Sequence, residues 1–450
     1  MKKVRIGCGS SWSRDRLQPA KELVLNGQLD YICFDAMSEV TMSIAQVARA
    51  NDTRIPPYDP YLDARMRPIL KECVERGVRI ITSAGWIDPV AAADKLVEIG
   101  KELGIPKLKV AAVSGSVITD RILDLDVDFL EDGKPVKEFR DSIISAEVYM
   151  GAEGIVKAIA SGADVIVTSR IGDGCPYLAA LVHELGWSMD DHHAVAKGMI
   201  IGHLMECGSQ ITGGCFADPG YKDVPNIADL GNPIVEVTDD KIVISILPDK
   251  GGIVSQATCQ EQLLYEVQDP STYICPDVIA DLTKVRFREI GVNEVEVLID
   301  GAGRPRTPTL KALIGLREGF VAEEMVLFAG PGALQRAEMT KDILEQRLKM
   351  AGLDAEEIRW DFVGLNAVHR ESTPNMKFEP NEIVLRVAVK TKTRDDALKL
   401  GLEVDPLAVT GVYGIGKWGT HSPGTRVRPV VGLNSALVAR SEISPKVTMR

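Results

Sequence analysis

Eight cysteines are spread along this 450-residue chain (Cys8, Cys33, Cys73, Cys175, Cys207, Cys215, Cys259 and Cys275), and no two stand at C-x-x-C spacing. That spacing speaks against a four-thiolate zinc site. Met1-Lys2-Lys3-Val4 leads straight into an apolar strand without a signal-type segment. The expected compartment is therefore the cytoplasm, where cysteines serve as small buried hydrophobes rather than disulfides. No apolar run reaches the ~20 residues needed to cross a bilayer. The net charge is -12 and no Lys/Arg block stands out, so neither nucleic acid nor membrane is an expected partner, because phosphate neutralisation needs clustered cations. Walker loops and G-x-S-x-G elbows are missing as well.

What the chain does have is a repeated pattern. Five times before residue 175 a short apolar stretch runs into a knot of glycine, serine and charge: VRIG(CGSSWSRDR), YICF(DAMSEV), RIIT(SAGW), KVAAV(SGS) and VIVT(SRIGDG). Helical spacing over 15–27, 39–50, 62–76, 89–104, 151–161, 176–186 and 191–207 separates or follows them. Strand and helix in alternation predict right-handed βαβ units and a parallel sheet. The knots then fall at one carboxyl edge, where small molecules bind.

The fold class expected is α/β. An N-terminal Rossmann-like parallel sheet with helices on both faces covers 1–210, with the acidic insert 120–147 as a loop or lid. A mixed β-rich extension over 211–320 follows, with a hairpin around Asp239-Asp240. An α+β unit over 321–450, ferredoxin-like in its strand–helix–strand–strand–helix order, ends in an irregular tail from 411 that is expected to lie over a neighbouring subunit of a homo-oligomer. At this length two or three domains are expected.

The first knot, with Gly9, Ser10, Ser11 and Arg14 or Arg16, suits an anion by its backbone N–H groups. Its third glycine position is Ser13, so the dinucleotide fingerprint fails. A tight turn that needs glycine for geometry alone fits it equally. Asp35 and Glu39, four residues apart, can serve as base or metal ligand, or can belong to a helix start with Ser38. Ser83, Ala84 and Gly85 let a ligand approach the backbone, while Asp88-Pro89 reads as a helix cap. Ser169, Arg170 and Asp173 form the densest group: Arg170 can fix a substrate carboxylate while Asp173 moves a proton, or the two can pair only with each other. His203 and Glu206, at i and i+3, share a helix face and can pair acid with base or bind a metal; a buried, satisfied histidine is the plainer alternative. Thr212, Gly213 and Gly214 can offer donors to an oxyanion.

The stretches LDYICFDAMSEVTM, IITSAGWIDP, VTSRIGDG, IGHLMECGSQITGGCFADP and GGIVSQATCQEQLLYEVQDPSTYICPDVIADL, with a weaker echo around PLAVTGVYGIG, resemble the acyclic terpene utilisation family AtuA. The chain departs from that pattern at Ser114-Gly115-Ser116-Val117, where relatives tend to carry Gly-Asp-Asp, and at Ser83-Ala84-Gly85-Trp86, where they commonly carry Asn-Ala-Gly-Gly. The resemblance implies catabolism of branched carboxylates or their CoA esters, often with a small companion protein. With the residues above it predicts a hydro-lyase, hydratase, or related lyase or isomerase acting on a small carboxylate, branched or hydroxylated, or its CoA ester. A non-catalytic subunit that binds acyl-CoA or carboxylate, and an acyl or CoA transferase acting through Cys207 or Glu206, are the rivals. A divalent metal and CoA as part of the substrate both stay open.

Overall fold

The computed structural model describes residues 2–374, 379–417 and 426–450. Among them are thirteen strands of a first unit in chain order: β1 (Lys3–Ser10), β2 (Tyr31–Phe34), β3 (Arg79–Thr82), β4 (Val110–Ser114), β5 (Ile143–Val148), β6 (Val165–Thr168), β7 (Ile234–Thr238), β8 (Ile242–Ser245), β9 (Tyr273–Ile274), β10 (Ile279–Ala280), β11 (Val285–Gly291), β12 (Glu294–Ile299) and β13 (Gly303–Arg304). Its helices are α1 (Gln18–Asn26), α2 (Thr41–Asn51), α3 (Leu62–Met66), α4 (Leu70–Arg76), α5 (Pro89–Glu102), α6 (Glu153–Ala160), α7 (Cys175–Leu185), α8 (His192–Glu206) and α9 (Gln256–Leu264).

β1, β2, β3, β6 and β4 lie side by side and parallel. β2 and β6 are buried at every position, as expected for apolar runs covered on both faces of a sheet. Ile32, Phe34, Ile80, Ala112 and Val167 share a core with Leu23 of α1, Leu70 of α4 and Leu96 of α5. The intervening Cys33, Ile81, Ala111 and Ile166 point the opposite way. They are no less buried, and α6, α7 and α8 lie against the strands.

Two compact units divide the chain: Met1–Gly315 with Leu433–Arg450, and Leu316–Gly432. The expected boundary near 210 does not appear, because β7 adds to β1 in antiparallel register and β8, β12 and β11 continue the same sheet. The hairpin at Asp239-Asp240 is present between β7 and β8. The tail is not wholly irregular: β18 (Val427–Ala439) and β19 (Lys446–Met449), numbered after the strands below, are regular, and β19 pairs antiparallel with β4. Residues 418–425 of that tail lie outside the described residues. The expected helix 62–76 is broken into α3 and α4 around Pro68, which cannot donate to a continuing helix. The insert 120–147 holds two short 3-10 turns and most of β5.

In the second unit β14 (Thr309–Ala329), which begins in the first, is followed by α10 (Ala333–Met350), β15 (Glu357–Val363), β16 (Glu382–Thr391), α11 (Arg394–Val404), α12 (Leu407–Thr410) and β17 (Gly416–Lys417). The sheet order is β15-β16-β14-β17, with antiparallel pairs, around a core that includes Val326, Leu344 and Leu385. The molecule is thus mixed α/β, with twelve helices among the described residues and no sheet closed into a barrel. No helix among them is long and apolar enough to cross a membrane.

Candidate active site

Because β1, β2, β3 and β6 run parallel, their last residues meet at one edge. Ser10 closes β1, Asp35 follows β2, Ser83 follows β3, and Ser169 to Asp173 follow β6. A small cavity of about 10 Å³, room for about one water, lies there, and Asp35, Ser83, Asp173, Tyr177 and Glu206 are among its walls.

Asp35 is fixed from three sides. Its Oδ1 accepts from the Ser83 hydroxyl at 2.9 Å and from the Met37 N–H at 3.1 Å, and its carbonyl accepts from the Ser10 hydroxyl at 2.6 Å. Burial raises its carboxyl above the ordinary value, against the pull of the Arg170 charge and these donors. Asp173 is pushed up to about 7, first by burial and then by the Asp35 charge, although 42% of its side chain still meets solvent. The two facts are compatible in a cleft floor, where the carboxyl is walled by protein yet open on one side.

Glu206 comes from the end of α8. It reaches the rim because α7 and α8 touch through glycine: a Cβ on Gly202 would sit 2.4 Å from the Gly174 Cα, closer than any side chain allows. Burial pushes the Glu206 carboxyl well above its usual range, and the Asp173 charge adds to this. Its Oε1 accepts from the Cys207 thiol at 3.1 Å. Three carboxyls from three separate segments therefore face one space, each holding its proton more tightly than in water.

Arg170 is nearly sealed, with 2% of its side chain exposed. Its Nη1 donates to Asp173 Oδ1 at 3.3 Å, and its guanidinium lies 4.5 Å from the Tyr149 ring centre. Nε and Nη2 are buried and have no partner among the described residues. Arg170 is not among the residues that line the cavity. Glu147 of β5 is likewise buried, its oxygens make no hydrogen bond of normal geometry among the described residues, and burial pushes it up to about 8 against the nearby Arg170 charge and Ser145 hydroxyl.

Other residues of interest have different places. His203 is buried; its Nε2 meets the Leu263 carbonyl at 3.1 Å and its Nδ1 the Tyr273 hydroxyl at 3.3 Å, with Glu206 at 3.8 Å. With Nε2–H donating to the carbonyl, Nδ1 accepts from Tyr273, and neither nitrogen is left for a substrate. Burial lowers the imidazole pKa, which keeps the ring neutral. Glu39 is exposed at the rim and accepts from the Tyr149 hydroxyl at 3.4 Å. The first knot is filled from within: Asp15 Oδ2 accepts from both the N–H and the hydroxyl of Ser11 at 2.9 Å, and Arg14 points to solvent. Gly9 makes room for Phe34, whose ring a Cβ there would meet at 2.2 Å.

Ala84 and Gly85 are pressed against protein, since a Cβ on Gly85 would lie 2.6 Å from the Thr168 carbonyl. Trp86 adopts a left-handed φ of 42° and donates Nε1–H to the Ala36 carbonyl at 2.8 Å, tying the third knot to the loop after Asp35. Ser169 is buried between the Ser116 hydroxyl and the Trp86 carbonyl. Thr212 donates to the Gly231 carbonyl at 2.7 Å. The N–H groups of Gly213 and Gly214 close turns onto Gln210 and Ser209. Asp88 caps α5 through the N–H groups of Val90 and Ala91, with Pro89 in its first turn.

Sequence reasoning missed Glu147, Tyr149, Tyr273 and Lys311. Tyr149 and Lys311 line a second cleft of about 200 Å³, which also reaches Asp173. The alternation in IISAEVYM (143–150) was the available signal for Glu147 and Tyr149, and the acidic insert before it obscured the strand. As placed, no three His, Cys, Asp or Glu side chains among the described residues converge in metal-ligand geometry.

No solved structure matches the chain. A family model does: that of the acyclic terpene utilisation family protein AtuA covers residues 4–449, nearly the whole sequence, and the chain belongs to this family.

Proposed function

We propose that this protein is a catabolic enzyme that moves protons on a small carboxylate-bearing substrate, a hydro-lyase, hydratase or related isomerase. The observation that carries the reading is the convergence of Asp35, Asp173 and Glu206 on one cavity with unequal support for their charges. Asp35 accepts two hydrogen bonds and feels Arg170, which favours the ionised form of a base. Burial holds Glu206 well above the ordinary carboxyl range, which suits an acid. Environments that separate two carboxyls in this way assign acid and base roles.

In an elimination, Asp35 would take the proton from the carbon beside the substrate carboxyl. The electron pair of that C–H bond forms the double bond, the C–O bond to the β-hydroxyl breaks with its pair leaving on oxygen, and Glu206 protonates the departing oxygen as water. Asp173, pushed up to about 7, lines the same cavity and would relay protons between them. Burial and the Glu206 carboxylate hold the Cys207 thiol far above its usual value, which weighs against transfer through a thiolate. The finer fold reading rests on similar support: the five parallel strands favour a Rossmann-like first unit, and the element order of the second favours a ferredoxin-like one.

The test is incubation in deuterated water with a panel of branched hydroxy and unsaturated acids and their CoA esters, followed by NMR. Deuterium should enter beside the carboxyl, and Glu206→Gln should reduce that rate by roughly 10²–10⁴-fold. Exchange unaffected by Glu206→Gln and by Asp35→Asn would overturn the reading and leave the non-catalytic binding role.

A further inference from the structure

Resting on the proposed carboxyl chemistry, the second cleft allows the substrate class to be narrowed. It meets the cavity at Asp173, and Met199, Ile274, Pro276 and Leu310 supply apolar wall. Its cavity volume of about 200 Å³ is below the range of drug-sized ligand pockets and suits a small acid. Lys311, exposed at its edge, holds its ammonium 5.8 Å from the Tyr149 ring centre. Tyr149 also lies over Arg170 and donates to Glu39.

Among the described residues lining cavity and cleft, Lys311 is the single cation. Arg170 is not in the lining of either. Every other charged group there is a carboxyl: Asp35, Asp173 or Glu206. The Lys311 ammonium makes no ion pair within 4 Å among the described residues.

We propose that the protein takes its substrate as a free acid, the carboxylate bound by Lys311 and the carbon chain lying along the apolar wall, rather than as a CoA thioester. One unpaired ammonium matches one carboxylate. The several phosphate charges of CoA need clustered cations, and the three carboxyls beside the cleft repel them. A free acid brings one negative charge close to Asp173, so the site should take up protons as the ligand binds.

The probes are dimethylacrylic acid, its primary amide and its CoA thioester, together with longer branched acids, titrated calorimetrically near neutral pH in two buffers of different ionisation enthalpy. The acid should bind with proton uptake, and the amide and thioester should bind at least roughly tenfold more weakly. Lys311→Met should weaken the acid by roughly ten- to a hundredfold with unchanged melting temperature, and Lys311→Arg should restore most of it. Thioester binding as tight as the acid, indifference to Lys311→Met, or no binding by any acid of the panel would each overturn the proposal.

The two readings fail separately. If Asp173→Asn and Glu206→Gln abolish exchange while Lys311→Met changes nothing, the chemistry stands and the free-acid assignment falls. If acids bind through Lys311 without any turnover, the assignment stands and the chemistry falls.

Discussion

The first and fifth knots look alike as sequence: each joins a buried strand to a helix through glycine, serine, arginine and aspartate. In the folded chain they differ in where their polar groups are spent. At the first, Asp15 turns back onto the Ser11 N–H and hydroxyl, and its Oδ1 accepts from the Arg16 N–H at 2.7 Å. Arg65 Nη2 adds bonds to the carbonyls of Ser13 and Asp15. At the fifth, Asp173 has only one Arg170 nitrogen at 3.3 Å and otherwise faces the cavity. A carboxylate that completes its own turn is structure; one held beside a buried charge with an open face can do chemistry.

The comparison breaks most sharply by exchanging one carboxyl at each knot. Asp173→Asn keeps the shape and removes the titration, so proton exchange on the true substrate should fall by roughly 10²–10⁴-fold. Asp15→Asn should leave that rate within a few fold, because nothing at the first knot faces the cavity. Equal losses in single-turnover measurements would mean that the first knot also binds substrate.

A smaller effect tests how the fifth knot is held. Gly202→Ala places a methyl where Gly174 already lies. Overpacking of this kind costs about 1–3 kcal/mol, visible in urea titration. It should also lower turnover by moving Glu206 away from Asp173. An alanine variant with wild-type stability would show that α7 and α8 can separate freely, and the argument for how Glu206 reaches the rim would fail.

Asp15→Ala is the counterpart at the first knot. It leaves the half-buried Ser11 donors without their partner, and the expected cost is about 1 kcal/mol of stability with unchanged turnover per folded molecule.

Much of this was legible beforehand. The apolar runs and their glycine borders gave the parallel strands, and Asp35, Asp173 and Glu206 were singled out from spacing and residue type. Helix ends were readable where a cap is local, as at Asp88-Pro89. The rest depended on contacts distant in sequence. No local pattern says that Asp15 satisfies Ser11, that Leu263 and Tyr273 occupy both nitrogens of His203, or that Arg170 is sealed under Tyr149. Nor does it say that β7 joins β1, which draws the 211–320 region into the first sheet. Lys311 escaped for the same reason: its meaning comes from Tyr149, 162 residues earlier, just past the end of β5 and beyond the insert read as a lid.

The smallest effect is on stability, and its sign separates the two knots again. Asp173 ordinarily titrates near 3.8 and is raised to about 7 in the fold. Its contribution to stability is therefore complete below about 4 and lost as pH rises through about 7. The group is 42% exposed, so screening reduces the effect to about 1–2 kcal/mol. Asp173→Asn should accordingly melt ~2–4 °C above the parent at pH 8 and show a smaller advantage at pH 5. Asp15→Asn should be less stable than the parent at both. If Asp173→Asn instead loses stability at pH 8, the ionised carboxylate is favoured where it sits, and its placement as a high-pKa proton carrier is wrong.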